Sequence, residues 1–163
     1  MRVAIVLYPG SNCAEDMKRY FESFHDTCFY IWHKCDNIND FEFDLLVIPG
    51  GFAFGDRYYE NATDKYIINP GVMAKQSPVS KIIKDAAEKK KVILGVCNGF
   101  QILIKLGLLQ GDLIQNKDKN FTCAKVKCNI ESNILPQYKN NKVELDVANS
   151  FGNYRTRYNS NYL

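Results

Sequence analysis

Cys97 is the residue around which chemistry can be built. It stands in Gly95-Val96-Cys97-Asn98-Gly99, between an apolar run and a helical pattern. Val92, Ile93, Leu94 and Val96 form a short run rich in β-branched residues, which suits a strand covered on both faces in a parallel sheet. Ile102, Leu103 and Leu106 follow at helical spacing, and Gly107 is a stop signal. A residue at a strand-to-helix turn flanked by glycines is forced into a tight, strained backbone, the nucleophile elbow known best with serine. Its side chain then stands clear at the C-terminal end of the strand. The helix N-terminus behind it offers unpaired N–H groups and a positive dipole end, which favour a thiolate. A buried structural role is the commoner fate of a cysteine outside a disulfide. The two glycines tip the reading toward a nucleophile.

The rest of the chain must place that thiol. Residues 2–8 read as a buried strand, Pro9-Gly10-Ser11-Asn12 as a turn, and residues 13–25 as a helix with Ser11 or Asn12 as cap. Met17, Tyr20, Phe21 and Phe24 fall on one face of that helix. Residues 28–33 and 44–48 are further strands, and the second runs into Pro49-Gly50-Gly51-Phe52-Ala53-Phe54-Gly55-Asp56. Residues 57–70 form a polar, tyrosine-rich loop; residues 71–90 are helical with a break at Pro78 and an inner face of Ile82, Ile83, Ala86 and Ala87. Residues 121–130 and 142–147 alternate polar and apolar, the mark of half-buried antiparallel strands near a sheet edge. Strands alternating with helices through residue 107 predict an α/β fold: a doubly wound, flavodoxin-like, mostly parallel sheet with helices on both faces. Residues 155–163 show no packed pattern.

Such sheets bind ligands beyond the C-terminal ends of their strands. Three loops reach that edge: residues 9–13, 49–56 and 95–99. Gly50-Gly51 could bring backbone N–H groups close to a ligand or could be a plain turn. The N–H of Asn98 is a second donor, and the two together would stabilise a tetrahedral oxyanion. Cys13 lies at the same edge, as a second reactive thiol or as a packing residue at a helix start. Asp56 and Arg57 could hold a zwitterion or stay solvated.

Composition narrows the partners. The chain has 163 residues, 46% hydrophobic and 24% charged, enough for a single domain with a core. A net charge of +3 with scattered lysines, Lys89-Lys90-Lys91 being the one run, argues against nucleic acid. No apolar run reaches membrane-spanning length, and the first strand is too short for a signal peptide. Six cysteines (13, 28, 35, 97, 123 and 128) show no C-x-x-C, and with only two histidines a zinc site is not expected. Reduced thiols and a cytoplasmic location are the simplest account.

Taken together, Pro9-Gly10-Ser11-Asn12-Cys13, the 49–56 segment and Gly95-Val96-Cys97-Asn98-Gly99-Phe100-Gln101 resemble the class I (triad) glutamine amidotransferases. Within them they resemble the branch that forms the glutaminase subunit of phosphoribosylformylglycinamidine synthase in purine synthesis. The likeness runs from Met1 to about Tyr154. It implies that Cys97 attacks the amide carbon of glutamine, that a thioester forms and ammonia leaves, and that water then frees glutamate. It implies an oxyanion hole from the backbone of Gly51 and Asn98, and glutamine held by Phe52, Gly55, Asp56 and Gln101. It implies no cofactor in this chain, with ATP and Mg in a large synthase subunit that takes the ammonia, and a small third subunit beside it.

Two departures stand out. The family carries its catalytic His and Glu in a Pro-His-Pro-Glu motif that these 163 residues lack. Only His25 and His33 could stand in: the first falls at the far end of a helix, and the second lies three strand spacings, about 14 Å, from Cys97. Within residues 148–154, Asn149 and Phe151 replace the His and Glu of the family's His-Gly-Glu-Gly loop. The expectation is therefore one domain over residues 1–163, shortened at its C-terminus. It would be either part of a longer glutaminase subunit or an inactive docking or regulatory subunit. A cysteine hydrolase or chaperone of the related α/β class fits less well, because of the Phe-Gly-Asp loop and the Asn-Gly-Phe-Gln after Cys97.

Overall fold

Four apolar runs become strands that lie side by side: β1 (Arg2–Leu7), β2 (Thr27–Trp32), β3 (Leu45–Ile48) and β4 (Val92–Gly95). Their order is β2-β1-β3-β4 and every pairing is parallel. The computed structural model describes residues 1–37, 42–55, 70–130 and 136–155. Two compact units are distinguished, Met1–Gln110 and Gly111–Leu163, and this sheet belongs to the first.

Successive residues of a strand face opposite sides, so a strand covered on both sides is apolar throughout. Ala4, Val6, Leu46 and Ile48 face one layer, with Ile82 and Ile83 of α3 (Val79–Glu88) and Ile102 and Leu103 of α4 (Asn98–Lys105). Val3, Ile5, Leu45 and Val47 face the other, with Ala14 and Phe21 of α1 (Ala14–Glu22). The doubly wound expectation is met: among the described residues α1 covers one face, and α3 and α4, together with Ala74 of α2 (Pro70–Gln76), cover the other. Each fully buried aliphatic side chain adds roughly 1.5–3 kcal/mol of transfer free energy. α2 ends and α3 begins at the break expected at Pro78.

The structure corrects the sequence reading in detail. β4 is not covered on both faces: Val92 and Leu94 are exposed, and Ile93 packs on the core. Among the described residues its one sheet neighbour is β3. α1 stops at Glu22, and the chain turns at His25 with φ 63°. Phe24 lies past the helix and is exposed, as is Tyr20; their rings meet edge to face at 5.2 Å. Neither Ser11 nor Asn12 caps α1. Cys13 holds the N-cap position without a side-chain bond, and Ser11 Oγ accepts the Tyr8 N–H at 3.1 Å. Lys91, the last of the lysine run, is tethered: its ammonium donates to the Phe43 carbonyl at 2.8 Å.

The second unit contains β5 (Asp112–Ile114), β6 (Thr122–Asn129), β7 (Lys142–Asn149) and β8 (Asn153–Arg155). β6 and β7 pair antiparallel as their alternation predicts, but as a two-stranded sheet of their own rather than at an edge of the parallel sheet. β5 and β8 form a second antiparallel pair that the sequence pattern did not signal. Asn116 ties the unit together: its Nδ2 donates to the carbonyls of Asn120 and Asn149, and its Oδ1 accepts the Gly152 N–H. No helix among the described residues is long and apolar enough to cross a membrane.

Candidate active site

The elbow forms because two glycines let α4 sit down on the sheet. A methyl group on Gly99 would collide with the backbone carbonyl of Ile48. One on Gly95 would lie 2.6 Å from Leu103 Cδ1 and 2.9 Å from the Gly99 carbonyl carbon. The Val96 N–H donates to the same Ile48 carbonyl at 3.1 Å, so the end of β3 fixes both sides of the turn. Between them Cys97 has φ 51° and ψ −108°, a backbone state that costs a non-glycine residue about 1–3 kcal/mol. Its side chain is exposed, and α4 starts at the next residue.

The other two loops are locked to each other. The N–H groups of Phe52 and Phe54 donate to the carbonyls of Gly10 (2.7 Å) and Pro9 (2.8 Å), and the Cys13 N–H points at the Gly50 carbonyl at 3.3 Å. The approach is so close that a side chain on Gly10 would collide with the Phe52 carbonyl, while one on Gly51 would come within 2.5 Å of the Asn12 nitrogen. Both residues also take left-handed φ values, 91° and 129°. The expected sheet put the two loops at one edge; the glycines show that each is shaped by the other.

Asn98 joins the locked loops to the elbow. Its side chain is buried: Oδ1 accepts the Ala53 N–H at 3.2 Å, and Nδ2 donates to Gln101 Oε1 at 3.0 Å. Sequence reasoning gave Asn98 only a backbone role. The signal it passed over was an amide pair three residues apart at a helix start, which face each other on a helix. Gln101 is thereby oriented from below. The backbone N–H groups of Gly51 and Asn98 meet no acceptor among the described residues, as donors reserved for a ligand would. Gly50 brings the two loops against the elbow, its Cβ position lying 3.5 Å from Cys97 Cβ.

Of the other expected residues, Phe52 holds an exposed side chain at this edge, and Gly55 ends the short turn Ala53–Gly55. Phe54 points inward instead, packing edge-on against Tyr8 and His33 at 5.6 and 5.4 Å. Asp56 and Arg57, with the rest of the loop through residue 69, lie outside the described residues.

Neither histidine reaches the thiol. His25 follows α1, next to the Asp26–Thr27 turn whose Thr27 N–H bonds the Met1 carbonyl, which is the N-terminal end of β1 and the wrong end of the sheet. His33 follows β2, the far strand from β4. Its Nδ1 lies 3.0 Å from Ser77 Oγ, and Ser77 spends its own proton on the His33 carbonyl at 2.8 Å, so Nδ1 carries the hydrogen. Burial and neighbouring Lys34 push its pKa down. Among the described residues no group of three or more His, Cys, Asp or Glu is arranged to hold a metal ion.

Residues 1–159 match the CobB/CobQ-like glutamine amidotransferase domain family. The chain is 39% identical over 161 residues to phosphoribosylformylglycinamidine synthase subunit PurQ of Pseudothermotoga lettingae, which covers 94% of this chain and 63% of that protein. It thus spans less than two thirds of that relative's length. The structure of PurLQS from Thermotoga maritima superposes with a TM-score of 0.79 at 35% identity, over 95% of this chain and 69% of that one. A glutamine amidotransferase from the same organism shares the fold, with a TM-score of 0.60 at 17% identity over 96% of this chain and 63% of that one. A family match that runs through all three loops of the site and on to residue 159 settles the kinship: the chain belongs to the CobB/CobQ-like glutamine amidotransferases.

Proposed function

We propose that this chain is the glutamine-hydrolysing part of phosphoribosylformylglycinamidine synthase and works in the cytoplasm. The observation that carries the reading is the strained Cys97 at the head of α4, with Gly50 packed against it and the Gly51 and Asn98 N–H groups meeting no acceptor among the described residues. In this reading the Cys97 thiolate attacks the amide carbon of glutamine, and the oxyanion forms against those two N–H groups. The amide nitrogen takes a proton and leaves as ammonia. Water then cleaves the γ-glutamyl thioester and glutamate departs. Gln101, set by Asn98, and the loop holding Phe52, Gly55 and Asp56 position the glutamine. Ammonia passes to a large synthase subunit that binds ATP and Mg, accompanied by a small third subunit. The likeness to the synthase subunit and to PurLQS supports this partnership.

Thioester chemistry also needs a proton carrier. His33 stands about 14 Å away across three strand spacings, and His25 lies at the opposite sheet end. The carrier is therefore a group other than these two. That same observation favours a second reading, a docking subunit that keeps the pocket without turnover.

Two measurements separate them. A glutamine-mimicking electrophile should label Cys97, and Cys97→Ser should abolish labelling. The chain should then be mixed with its synthase subunit and supplied with either glutamine or ammonia. Product from both supports the glutaminase; product from ammonia alone supports the docking subunit. Absence of Cys97 labelling overturns the assignment of the nucleophile. For residues 1–163 alone, ammonia release is expected near background, because nucleophile and base act as a unit and their loss leaves about 10³–10⁴ over water.

A further inference from the structure

Cys97 has a second thiol within reach, and the reaction proposed above does not use it. A single point, the Cβ position of Gly50, lies 3.5 Å from Cys97 Cβ and 3.7 Å from Cys13 Sγ, so those two atoms are no more than about 7 Å apart. Gly50 has no side chain, so nothing of its own stands between them. The two cysteines reach this place from different loops: Cys13 at the head of α1, Cys97 at the head of α4. Both are reduced, Cys97 exposed and Cys13 half-buried.

We propose that Cys13 and Cys97 form a reversible disulfide that caps the nucleophile under oxidation by hydrogen peroxide. This rests on Cys97 being the reactive thiolate. Its sulfur attacks one oxygen of the peroxide, the O–O bond breaks, and the other oxygen leaves as hydroxide, which takes a proton to become water. Cys97 is then a sulfenic acid, oxidised by two electrons. The Cys13 sulfur attacks the sulfenic sulfur; the S–O bond breaks, the S–S bond forms, and the Cys13 proton leaves with the hydroxide as a second water. A disulfide needs its Cβ atoms about 4 Å apart. Rotation of the two side chains, and a small shift of the 10–13 turn, supplies the remaining approach.

The other thiols are set differently. Cys28 points at the Lys18 carbonyl and Cys35 at the Asn37 carbonyl. Cys123 and Cys128 lie on one strand, five residues apart, which puts them on opposite faces and roughly 17 Å from each other. Capping protects the nucleophile: a sulfenic acid with a resolving thiol closes to a disulfide, whereas one without goes on to sulfinic acid, which thiols do not reverse.

The test treats the reduced chain with hydrogen peroxide and maps it by mass spectrometry. The expected result is loss of two hydrogens, one cross-linked peptide pair containing residues 13 and 97, and full recovery with dithiothreitol. Cys13→Ser should lose that pair and carry sulfinic acid at Cys97. Gly50→Ala should fold, because its Cβ would make only ordinary 3.5–3.7 Å contacts, and should lower the cross-link yield because that Cβ would touch both cysteines. Sulfinic acid at Cys97 in the unaltered protein, with Cys13 still a thiol, overturns the proposal, as does a dominant cross-link between any other pair. The electrophile labelling described above is run in parallel. Labelling without the cross-link defeats this proposal alone; the cross-link without labelling defeats the functional reading alone.

Discussion

β3 and β7 are built in opposite ways. β3 has four residues, all buried, and lies between two parallel neighbours. β7 has eight residues, none of them buried, and one antiparallel partner among the described residues. The short strand is held by what packs on its faces. The long one is held by its ladder, in unbroken register from Lys142 against Asn129 to Asn149 against Thr122, and by half-buried pairs such as Val143 with Cys128. Strand length therefore says little about how a strand is stabilised. It also follows that the elbow, fixed by the end of β3, rests on packing, while the second unit's strands rest on pairing.

One substitution made in both places tests this most strongly. Leu46→Ala, in a fully buried site, should cost about 2–5 kcal/mol in chemical denaturation. Leu145→Ala, at a side chain 51% exposed, should cost under about 1 kcal/mol. Similar losses would break the contrast. Gly99→Ala comes next, at the upper end of about 1–3 kcal/mol, because the added methyl meets a backbone carbonyl of a central strand rather than a movable side chain. It should also cut electrophile labelling of Cys97; retained labelling with a normal melting temperature would show that β3 does not set the elbow.

On the hairpin, Glu144→Gln removes the 3.5 Å contact with Lys125, a pair exposed on both sides. The change in stability should stay within about 0.5 kcal/mol and shrink further in salt. A larger loss would mean that the hairpin leans on charge. The smallest effect concerns His33. Burial and Lys34 depress its folded pKa, so between that value and the unfolded value near 6.5 the unfolded chain holds more protons than the native one. The stability it contributes is present above pH 6.5 and lost as the pH falls through that window. His33→Gln should flatten the stability–pH profile there; an unchanged profile would remove His33 from the acid response.

How much of this could be read from the chain depends on where the cause lies. β1 and β3 were legible because buried parallel strands are apolar without a break, β4 because it has the same composition, and the elbow because its strain demands glycines at fixed positions around Cys97. The exposed outer face of β4 was not, since Val92 and Leu94 have the same composition whether or not something covers them. Phe24 fits the helical spacing of α1, yet lies beyond the helix because α1 ends at Glu22, ahead of the turn at His25. β5 and β8 have three residues each, too few to show a period, and find each other about forty positions apart in sequence. At the site, the loops were expected to share an edge. That Gly10 and Gly51 interlock, and that the Asn98 side chain braces Gln101, depends on distances between segments that no local pattern encodes.

The interlock of Gly10 with Phe52 and of Gly51 with Asn12 has a consequence for engineering. Neither loop is a cassette. Moving the 49–55 segment alone into another parallel sheet would transplant a backbone whose shape is written in a different loop, and lengthening the 9–13 turn by one residue would shift the carbonyls that receive Phe52 and Phe54. The smallest portable unit is three segments with the ends of β1, β3 and β4 that carry them.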